Sequence, residues 1–177
     1  RILADGRILF PLSGAEIARA RKLVQGKKVQ SVAVCFLHSY RNPAHEKRVA
    51  ERLRSLHLPI SLSHQILPEY REYERLSTTV LNAYVAPVIA RQMSDLGVEI
   101  NKVAAKLRSR LRVMQSNGGS MTAREATEQA VRTLFSGPAG GVVGAHAVAR
   151  QRGIKNMISL DMGGTSTDVC LVDGEIP

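Results

Sequence analysis

The stretch Asp161-Met162-Gly163-Gly164-Thr165-Ser166-Thr167-Asp168 lies between two mainly apolar runs, Met157-Ile158-Ser159-Leu160 and Val169-Cys170-Leu171-Val172. This arrangement predicts two strands joined by a turn that carries glycines and hydroxyl groups. Glycine lets the backbone adopt open angles and approach an anion closely. Successive backbone N–H groups in such a turn form a nest for phosphate oxygens. The stretch therefore predicts a phosphate-binding hairpin.

Two carboxylates, Asp161 and Asp168, flank this turn and would repel a phosphate unless a cation lay between them. Mg²⁺ keeps several waters and binds through one or two carboxylates plus phosphate, so the pattern favours a magnesium-nucleotide site. An ordinary hairpin with solvated acids is the alternative, but the hydroxyls of Thr165 and Ser166 before Asp168 favour phosphate binding. No Gly-x-x-x-x-Gly-Lys-Ser/Thr motif occurs in the sequence, which argues against a P-loop enzyme.

Strand and helix signals alternate along the first 63 residues, which predicts a parallel β-α-β sheet. The expected strands are Arg7–Leu12, Ser31–Leu37 and Pro59–Ser63. Ser13-x-x-Glu16 is a capping box that opens the first helix, and Asn42 with Pro43 begins the second.

A long helical periodicity follows, from about Glu69 to Leu107, with Pro87 and Gly97 as weak points where it bends or breaks. A strand is expected over Arg110–Gln115 and a second capping box at Thr122-x-x-Glu125. Pro138 starts a helix that Gly153 ends.

Together with the hairpin, four further stretches resemble one protein family. They are Leu37-His38-Ser39-Tyr40-Arg41-Asn42-Pro43-x-His45-Glu46, Glu72-Tyr73-Glu74-Arg75-x-Ser77-Thr78-Thr79-x-x-Asn82-Ala83-Tyr84, Met114-Gln115-Ser116-Asn117-Gly118-Gly119 and Ser136-Gly137-Pro138-Ala139-Gly140-Gly141-Val142-Val143-Gly144-Ala145. The chain resembles the A subunit of the ATP-dependent hydantoinase/oxoprolinase family, which includes N-methylhydantoinase, 5-oxoprolinase and the related acetone carboxylase subunit. The hairpin itself resembles the second phosphate hairpin of the sugar kinase, heat-shock 70 and actin superfamily of ATPases.

The resemblance implies an α/β fold of parallel or mixed sheets with flanking helices, part of an actin-like (ribonuclease H-like) ATPase, with a long helical segment in the middle. It also implies a domain boundary. Residues 1–68 would end the N-terminal hydantoinase/oxoprolinase domain, and residues 69–177 would begin the hydantoinase A domain. We expect an internal fragment of a longer protein, with half a nucleotide pocket and no ATPase activity of its own.

In functional terms the resemblance implies an enzyme that uses ATP and Mg²⁺ to open a cyclic amide or imide such as a hydantoin or 5-oxoproline, together with a B-type subunit. Asp161 and Asp168 are the expected catalytic and metal-binding residues. The expected nucleotide contacts are Gly163, Gly164, Thr165, Ser166, Gly140 and Gly141. An ATP-dependent ketone carboxylase component and a non-enzymatic, actin-like nucleotide-gated module are the alternatives.

Three sequence blocks leave their roles open. Gly140 and Gly141 lie at a helix start, where exposed N–H groups favour an anion, but they also give a smooth packing face. Ser116–Gly119 follows a strand, which suits either a ligand loop or a plain connection. The segment Glu72–Asn82 holds either substrate-orienting groups or solvated charges at a helix start.

The composition excludes several classes of function. The net charge is +10, but most of the basic excess lies in residues 1–60, with 12 basic and 4 acidic side chains, where helix faces explain it. Aromatic residues are few and Trp is absent, so stacking on nucleic acid is not expected. Cys35 and Cys170 each lie in an apolar run, which is typical of buried thiols in a reducing compartment. No apolar run has membrane-spanning length, so we expect a cytoplasmic protein.

Overall fold

The computed structural model describes residues 1–104 and 111–177. Within them the chain forms two compact units, residues 1–96 with 127–131 and residues 97–126 with 132–177. Helices alternate with strands that pair into two-stranded sheets, one parallel and two antiparallel. The mixed α/β class expected from the sequence is confirmed.

The elements follow one another along the chain as a series of short pieces around one long helix. They are α1 (Gly14–Gly26), β1 (Val32–Val34), α2 (Ala44–Leu53), a 3-10 turn (Arg54–Leu56), β2 (Ile60–Leu62), α3 (Ser63–Ile66), α4 (Glu72–Ala104), β3 (Arg112–Met114), β4 (Ser120–Thr122), α5 (Ala123–Glu128), a 3-10 turn (Ala130–Thr133), α6 (Ser136–Gln151), β5 (Asn156–Met162) and β6 (Thr167–Asp173).

The first unit is built on the parallel pair β1 and β2, as the β-α-β order predicts, with Val32 opposite Ile60. The capping box forms as expected, because the Ser13 side chain accepts from the Glu16 N–H and the Glu16 carboxylate accepts from the Ser13 N–H. Helices α1 and α2 supply the rest of an apolar core. Its buried members are Ile17, Val34, Val49, Leu53 and Leu62.

The expected strand over Arg7–Leu12 is wrong. A single isolated bridge joins Ile2 to Ile8 there. The physical reason is the local turn, in which the Asp5 carboxylate accepts from the Arg7 N–H and Gly6 adopts a φ of +90°. This turn folds the segment back on its own start, so it adds no strand to the sheet.

Helix α4 runs without interruption through Pro87 and Gly97, so of the two outcomes that the sequence predicted, two helices or one bent helix, the break into two helices does not occur. The expected end of this helix at Leu107 and the expected start of the next strand at Arg110 lie outside the described residues. The helix buries polar side chains in the first unit. Arg75, Thr79 and Asn82 are at most 1% exposed.

The second unit contains two antiparallel pairs, β3 with β4 and β5 with β6. The second capping box is confirmed by hydrogen bonds in both directions between Thr122 and Glu125. Helix α6 ends before Gly153, whose φ of +73° suits a helix C-terminus. Among the described residues, none of the helices is both long and apolar enough to cross a membrane.

Candidate functional site

The predicted hairpin forms, and its register decides the geometry of the candidate site. Strands β5 and β6 pair so that Asp161 lies directly opposite Asp168 and Ser159 lies opposite Cys170. The loop 163–166 joins the two strands, and the Gly163 N–H donates to the Ser166 carbonyl across it at 2.9 Å. The two carboxylates are therefore cross-strand neighbours beside the glycine loop.

Like charges directly opposite each other in an antiparallel pair are destabilising. Asp161 and Asp168 are both exposed. Within the described ranges, no ion pair joins either carboxylate to Lys, Arg or His. The described residues therefore supply no counter-ion to the pair, which has the charge to hold a cation.

The type of cation follows from the number of ligands. In the described part of the chain, no three His, Cys, Asp or Glu side chains are grouped to hold a metal. Two carboxylates with water and phosphate in the remaining positions match Mg²⁺, which rarely binds in a cage made of protein alone. The residues present thus fit a hydrated magnesium ion on a nucleotide.

The glycines of the loop contribute space. Neither Gly163 nor Gly164 has a φ in the left-handed region. A Cβ atom on Gly164 would have no heavy atom within 4 Å, and one on Gly163 would approach the Ser166 carbonyl at 3.6 Å. The side of the loop at Gly164 is open to an incoming group.

A cleft of about 500 Å³ lies within the second unit, between the start of α6 and the hairpin. One part of its wall carries the two carboxylates and another part is apolar. Its wall includes Phe135, Gly141, Val142, Met157, Asp161 and Asp168. Such a cleft offers a small ligand both a charged contact and apolar cover.

The two glycines of α6 differ in position. Gly141 lines the cleft, and a Cβ there would have no heavy atom within 4 Å. Gly140 instead packs beside β3, because a Cβ there would lie 3.7 Å from the side chain of Met114. The structure thus places Gly140 in a packing contact and Gly141 on the cleft wall, and both lie beyond the first turn of α6, which begins at Ser136. Whether either glycine contacts a nucleotide stays a prediction.

Sequence reasoning missed the role of Ser116. Its Oγ accepts a hydrogen bond from the Phe135 N–H at 3.0 Å and donates to the Arg132 carbonyl at 2.8 Å. Phe135 is the N-cap residue of α6 and makes no capping bond through its own side chain. Ser116 therefore acts as the helix cap from a position 19 residues earlier, and it also lines the cleft.

The rest of the Ser116–Gly119 loop packs against α6. Gly118 has a φ of +80°, and a Cβ there would lie 3.1 Å from the side chain of Val143. The Asn117 side chain accepts from the Gly119 N–H. The loop thus packs against α6 and contacts its start, and a role for it in ligand binding stays a prediction.

The structure brings Asp161, Asp168 and Gly141 together around one cleft, whereas the loop 163–166 does not line it. The segment Glu72–Asn82, whose role the sequence left undecided, belongs to the first unit. Glu72 and Glu74 are exposed, while Arg75 is buried and bonds to backbone carbonyls of Phe36 and Glu69. That segment therefore contains both the solvated charges and a buried group that the sequence did not predict.

Comparison with known proteins gives consistent similarities. The caprolactamase subunit alpha of Pseudomonas jessenii is 39% identical over 98% of this chain and 25% of its own length. The 5-oxoprolinase of Saccharomyces cerevisiae is 31% identical over 92% of this chain and 12% of its own length. The chain thus spans a quarter or less of these relatives.

Two solved structures resemble the fold. The ATP-dependent caprolactamase from Pseudomonas jessenii matches with a TM-score of 0.81 and 36% identity, over 97% of this chain and 25% of that one. A nucleotide-free acetone carboxylase matches with a TM-score of 0.80 and 29% identity, over 99% of this chain and 25% of that one.

Family models agree with these matches. The hydantoinase/oxoprolinase N-terminal region matches residues 1–57, and the hydantoinase/oxoprolinase model matches residues 75–177. The second match alone covers more than half of the chain. The chain belongs to the hydantoinase/oxoprolinase family.

Proposed function

We propose that this chain contributes a phosphate hairpin to an ATP-dependent enzyme that opens the ring of a cyclic amide or imide. One observation carries the proposal. Asp161 lies opposite Asp168 beside an open Gly-Gly loop, with no cation supplied by the described residues. The printed names of the relatives, caprolactamase and 5-oxoprolinase, support a cyclic amide as the substrate class.

The chemistry explains why such an enzyme uses ATP. A ring amide is a poor electrophile, and phosphorylation of its carbonyl oxygen gives a good leaving group. The protein contributes mainly positioning and charge neutralisation in such a phosphoryl transfer. Bound between carboxylate and phosphate, Mg²⁺ would neutralise charge on the phosphate oxygens.

Each residue of the hairpin has a place in this proposal. Asp161 and Asp168 hold the metal ion or its waters, and the backbone of residues 163–166 contacts phosphate. Thr167 supports the turn, since it begins β6 directly after the loop. Gly141 leaves room where α6 meets the cleft.

The proposal includes a B-type subunit as the partner, because the matching caprolactamase chain is itself named a subunit. A cytoplasmic location is part of the same proposal. It rests on the two free cysteines of the described residues, Cys35 and Cys170, both of them partly buried.

A second candidate is the subunit of an ATP-dependent ketone carboxylase. The acetone carboxylase structure favours it, since it matches the fold almost as well as the caprolactamase does. Both candidates use the hairpin in the same way and differ in the phosphorylated substrate.

The test is ATP turnover by the full-length protein with its neighbouring subunit. The substrates are 5-oxoproline, hydantoin, N-methylhydantoin and caprolactam, with acetone plus bicarbonate as the competing arm. We expect magnesium-dependent stimulation by a cyclic amide. Stimulation by acetone plus bicarbonate alone would favour the carboxylase, and no stimulation by any of them would reject both candidates.

A further inference from the structure

A second polar cluster lies in the first unit and shares no residue with the proposed phosphate site. It consists of Ser39, Glu46, Ser63 and His64, which lie beside the carboxyl ends of the parallel strands β1 and β2. The first three are at most 1% exposed. Small-molecule ligands of α/β sheets bind beyond the carboxyl ends of strands, so the cluster occupies a position suited to a ligand.

Glu46 organises the cluster by accepting hydrogen bonds at both carboxylate oxygens. Oε1 accepts from the Phe36 N–H at 3.0 Å and from the Ser63 hydroxyl at 2.6 Å. Oε2 accepts from the backbone N–H of His64 at 3.1 Å and lies 2.7 Å from its Nδ1. Burial alone would raise the pKa of Glu46, but the bonds from Ser63 and His64 outweigh it and lower that pKa.

The hydrogen bond that Nδ1 donates to Glu46 orients the His64 ring. An ionised carboxylate only accepts, so Nδ1 carries a proton, and a ring with that one proton presents Nε2 as an acceptor. Within the described residues Nε2 has no hydrogen bond, and it is not among the buried unpartnered atoms. His64 is therefore fixed at its backbone and at one ring nitrogen while its other nitrogen reaches solvent.

The loop that follows β1 completes the same edge of the sheet. His38 has a φ of 58°, an uncommon conformation for a residue other than glycine, and its ring lies edge-on to Tyr40 at 6.3 Å. Strained backbone of this kind clusters at ligand sites, where the surrounding structure holds it in place.

Arg75 of α4 contacts this loop at two points. Its guanidinium donates to the Phe36 carbonyl at 3.0 Å and lies 5.4 Å from the centre of the Tyr40 ring. The side chain is fully buried, its Nε has no hydrogen bond, and it forms no ion pair within the described ranges. These contacts join the loop after β1 to α4, and a binding site requires such support of its residues.

We propose that the carboxyl edge of β1 and β2 is a ligand site in which His64 Nε2 accepts a hydrogen bond from the ring N–H of a cyclic amide. His64 contacts the ligand, and Glu46 is a positioning residue that holds the ring and its tautomer. The inference rests on the proposed function for the identity of the ligand. A bare acceptor on a fixed ring selects a donor, so the site distinguishes an N–H lactam from its N-methyl derivative.

The experiment compares caprolactam with N-methylcaprolactam on the full-length protein with its neighbouring subunit. Binding is followed by calorimetry and by the ¹⁵N shifts of the His64 ring. The wild type binds caprolactam more tightly, and caprolactam shifts the Nε2 resonance. His64→Ala weakens caprolactam binding about tenfold, the value of one good hydrogen bond, and leaves N-methylcaprolactam unchanged.

Two further variants separate contact from structure. His64→Gln keeps an acceptor and restores part of the preference for caprolactam. Glu46→Gln keeps the shape but frees the His64 ring, so it reduces the preference without removing it. His57→Asn is the matched control, because His57 is exposed and its φ of 53° is tolerated by Asn. It should bind both lactams as the wild type does.

Several results would overturn the inference. These are equal binding of both lactams by the wild type, an unshifted His64 resonance, and an equal loss of both lactams in a folded His64→Ala. If His64→Ala fails to fold, His64→Gln and the wild-type resonance still decide. Lactam binding at His64 without stimulated ATP turnover would reject the proposed function alone. Stimulated turnover that is unchanged in His64→Gln and His64→Ala would reject the inference alone.

Discussion

The two units of this chain differ in the burial and in the bonding partners of their notable carboxylates. In the first unit Glu46 is 1% exposed and accepts hydrogen bonds from Phe36, Ser63 and His64. In the second unit Asp161 and Asp168 are exposed, face each other across the hairpin, and have no ion-pair partner in the described ranges.

The difference lies in which groups offset the negative charge of each carboxylate. Hydrogen-bond donors of the protein do so for Glu46, whereas no described residue does so for Asp161 and Asp168. A buried carboxylate with donors from the protein stabilises the fold and leaves nothing for a ligand. Two opposed carboxylates without a cation cost stability, and only a bound ion recovers that cost. Loss of Glu46 should therefore reduce stability, whereas loss of Asp161 should reduce ion binding and activity.

The largest expected effect is on turnover. Asp161→Asn in the full-length protein should lower magnesium-dependent ATP turnover by about 10³-fold, the upper range for loss of one group that stabilises transition-state charge. Without magnesium its stability should equal or slightly exceed that of the wild type, because the repulsion with Asp168 is removed. Turnover at varied magnesium concentration measures the effect on activity, and thermal unfolding with EDTA measures the effect on stability.

Asp173→Asn is the matched control for this experiment. Asp173 is also an exposed carboxylate of β6, but it lies opposite Asn156 at the far end of the hairpin. It should keep wild-type turnover. Equal turnover in Asp161→Asn and wild type would remove Asp161 from the site.

The second effect is on stability. Glu46→Ala should lower the free energy of unfolding by about 3–5 kcal/mol, because it leaves buried donors of Ser63 and His64 without an acceptor. Urea denaturation followed by circular dichroism measures the change. Glu51→Ala, an exposed position on the same helix, should change stability by less than about 0.5 kcal/mol. Similar midpoints for the two variants would contradict the structural role of Glu46.

The features that sequence predicted well are those encoded within a few residues. The capping box of Ser13 with Glu16 joins groups three residues apart, and the hairpin joins two neighbouring runs. Spacing and turn chemistry suffice for both. Local chemistry also explains why the prediction of a strand over Arg7–Leu12 is wrong. The turn formed by Asp5 and Gly6 outweighs the apolar pattern of that segment.

The features that sequence missed depend on contacts between distant residues. Glu46 bonds to His64 across 18 residues, and Ser116 caps α6 across 19. No spacing rule reaches that far, because the fold alone brings these groups together. Arg75 was read as a solvated or substrate-orienting charge, yet its acceptors are backbone carbonyls whose position no sequence pattern reveals.

A smaller effect is expected at the cap of α6, which joins the cleft to the rest of its unit. Ser116→Ala removes the acceptor of the Phe135 N–H and should cost about 1 kcal/mol, as other N-cap losses do. Urea denaturation measures it, with Ser55→Ala as the control because Ser55 is exposed in a 3-10 turn. A loss no greater than the control's would show that water replaces the Ser116 hydroxyl without cost.

The smallest effect is a pH dependence that separates two groups of the first unit. His45 is 8% exposed and its Nε2 accepts from the Leu12 N–H. Burial, with a further contribution from the positive charge of Arg48, lowers the pKa of His45 below its usual 6.5. The unfolded chain therefore binds a proton first, and stability falls as the pH drops below about 6.5.

The pKa of Glu46 in the folded protein is also lowered, from a usual value of 4.5. Its contribution to the free energy of unfolding is therefore complete above about pH 4.5 and is lost only as the pH falls through the pKa of the folded state. The two windows do not coincide, and unfolding free energies measured from pH 7 to 5 report mainly on His45. His45→Gln keeps a group that can accept from Leu12 and cannot titrate, so it should flatten that slope. An unchanged slope would mean that the loss of stability on mild acidification arises elsewhere, since Glu46 remains ionised there and its hydrogen bonds stay intact.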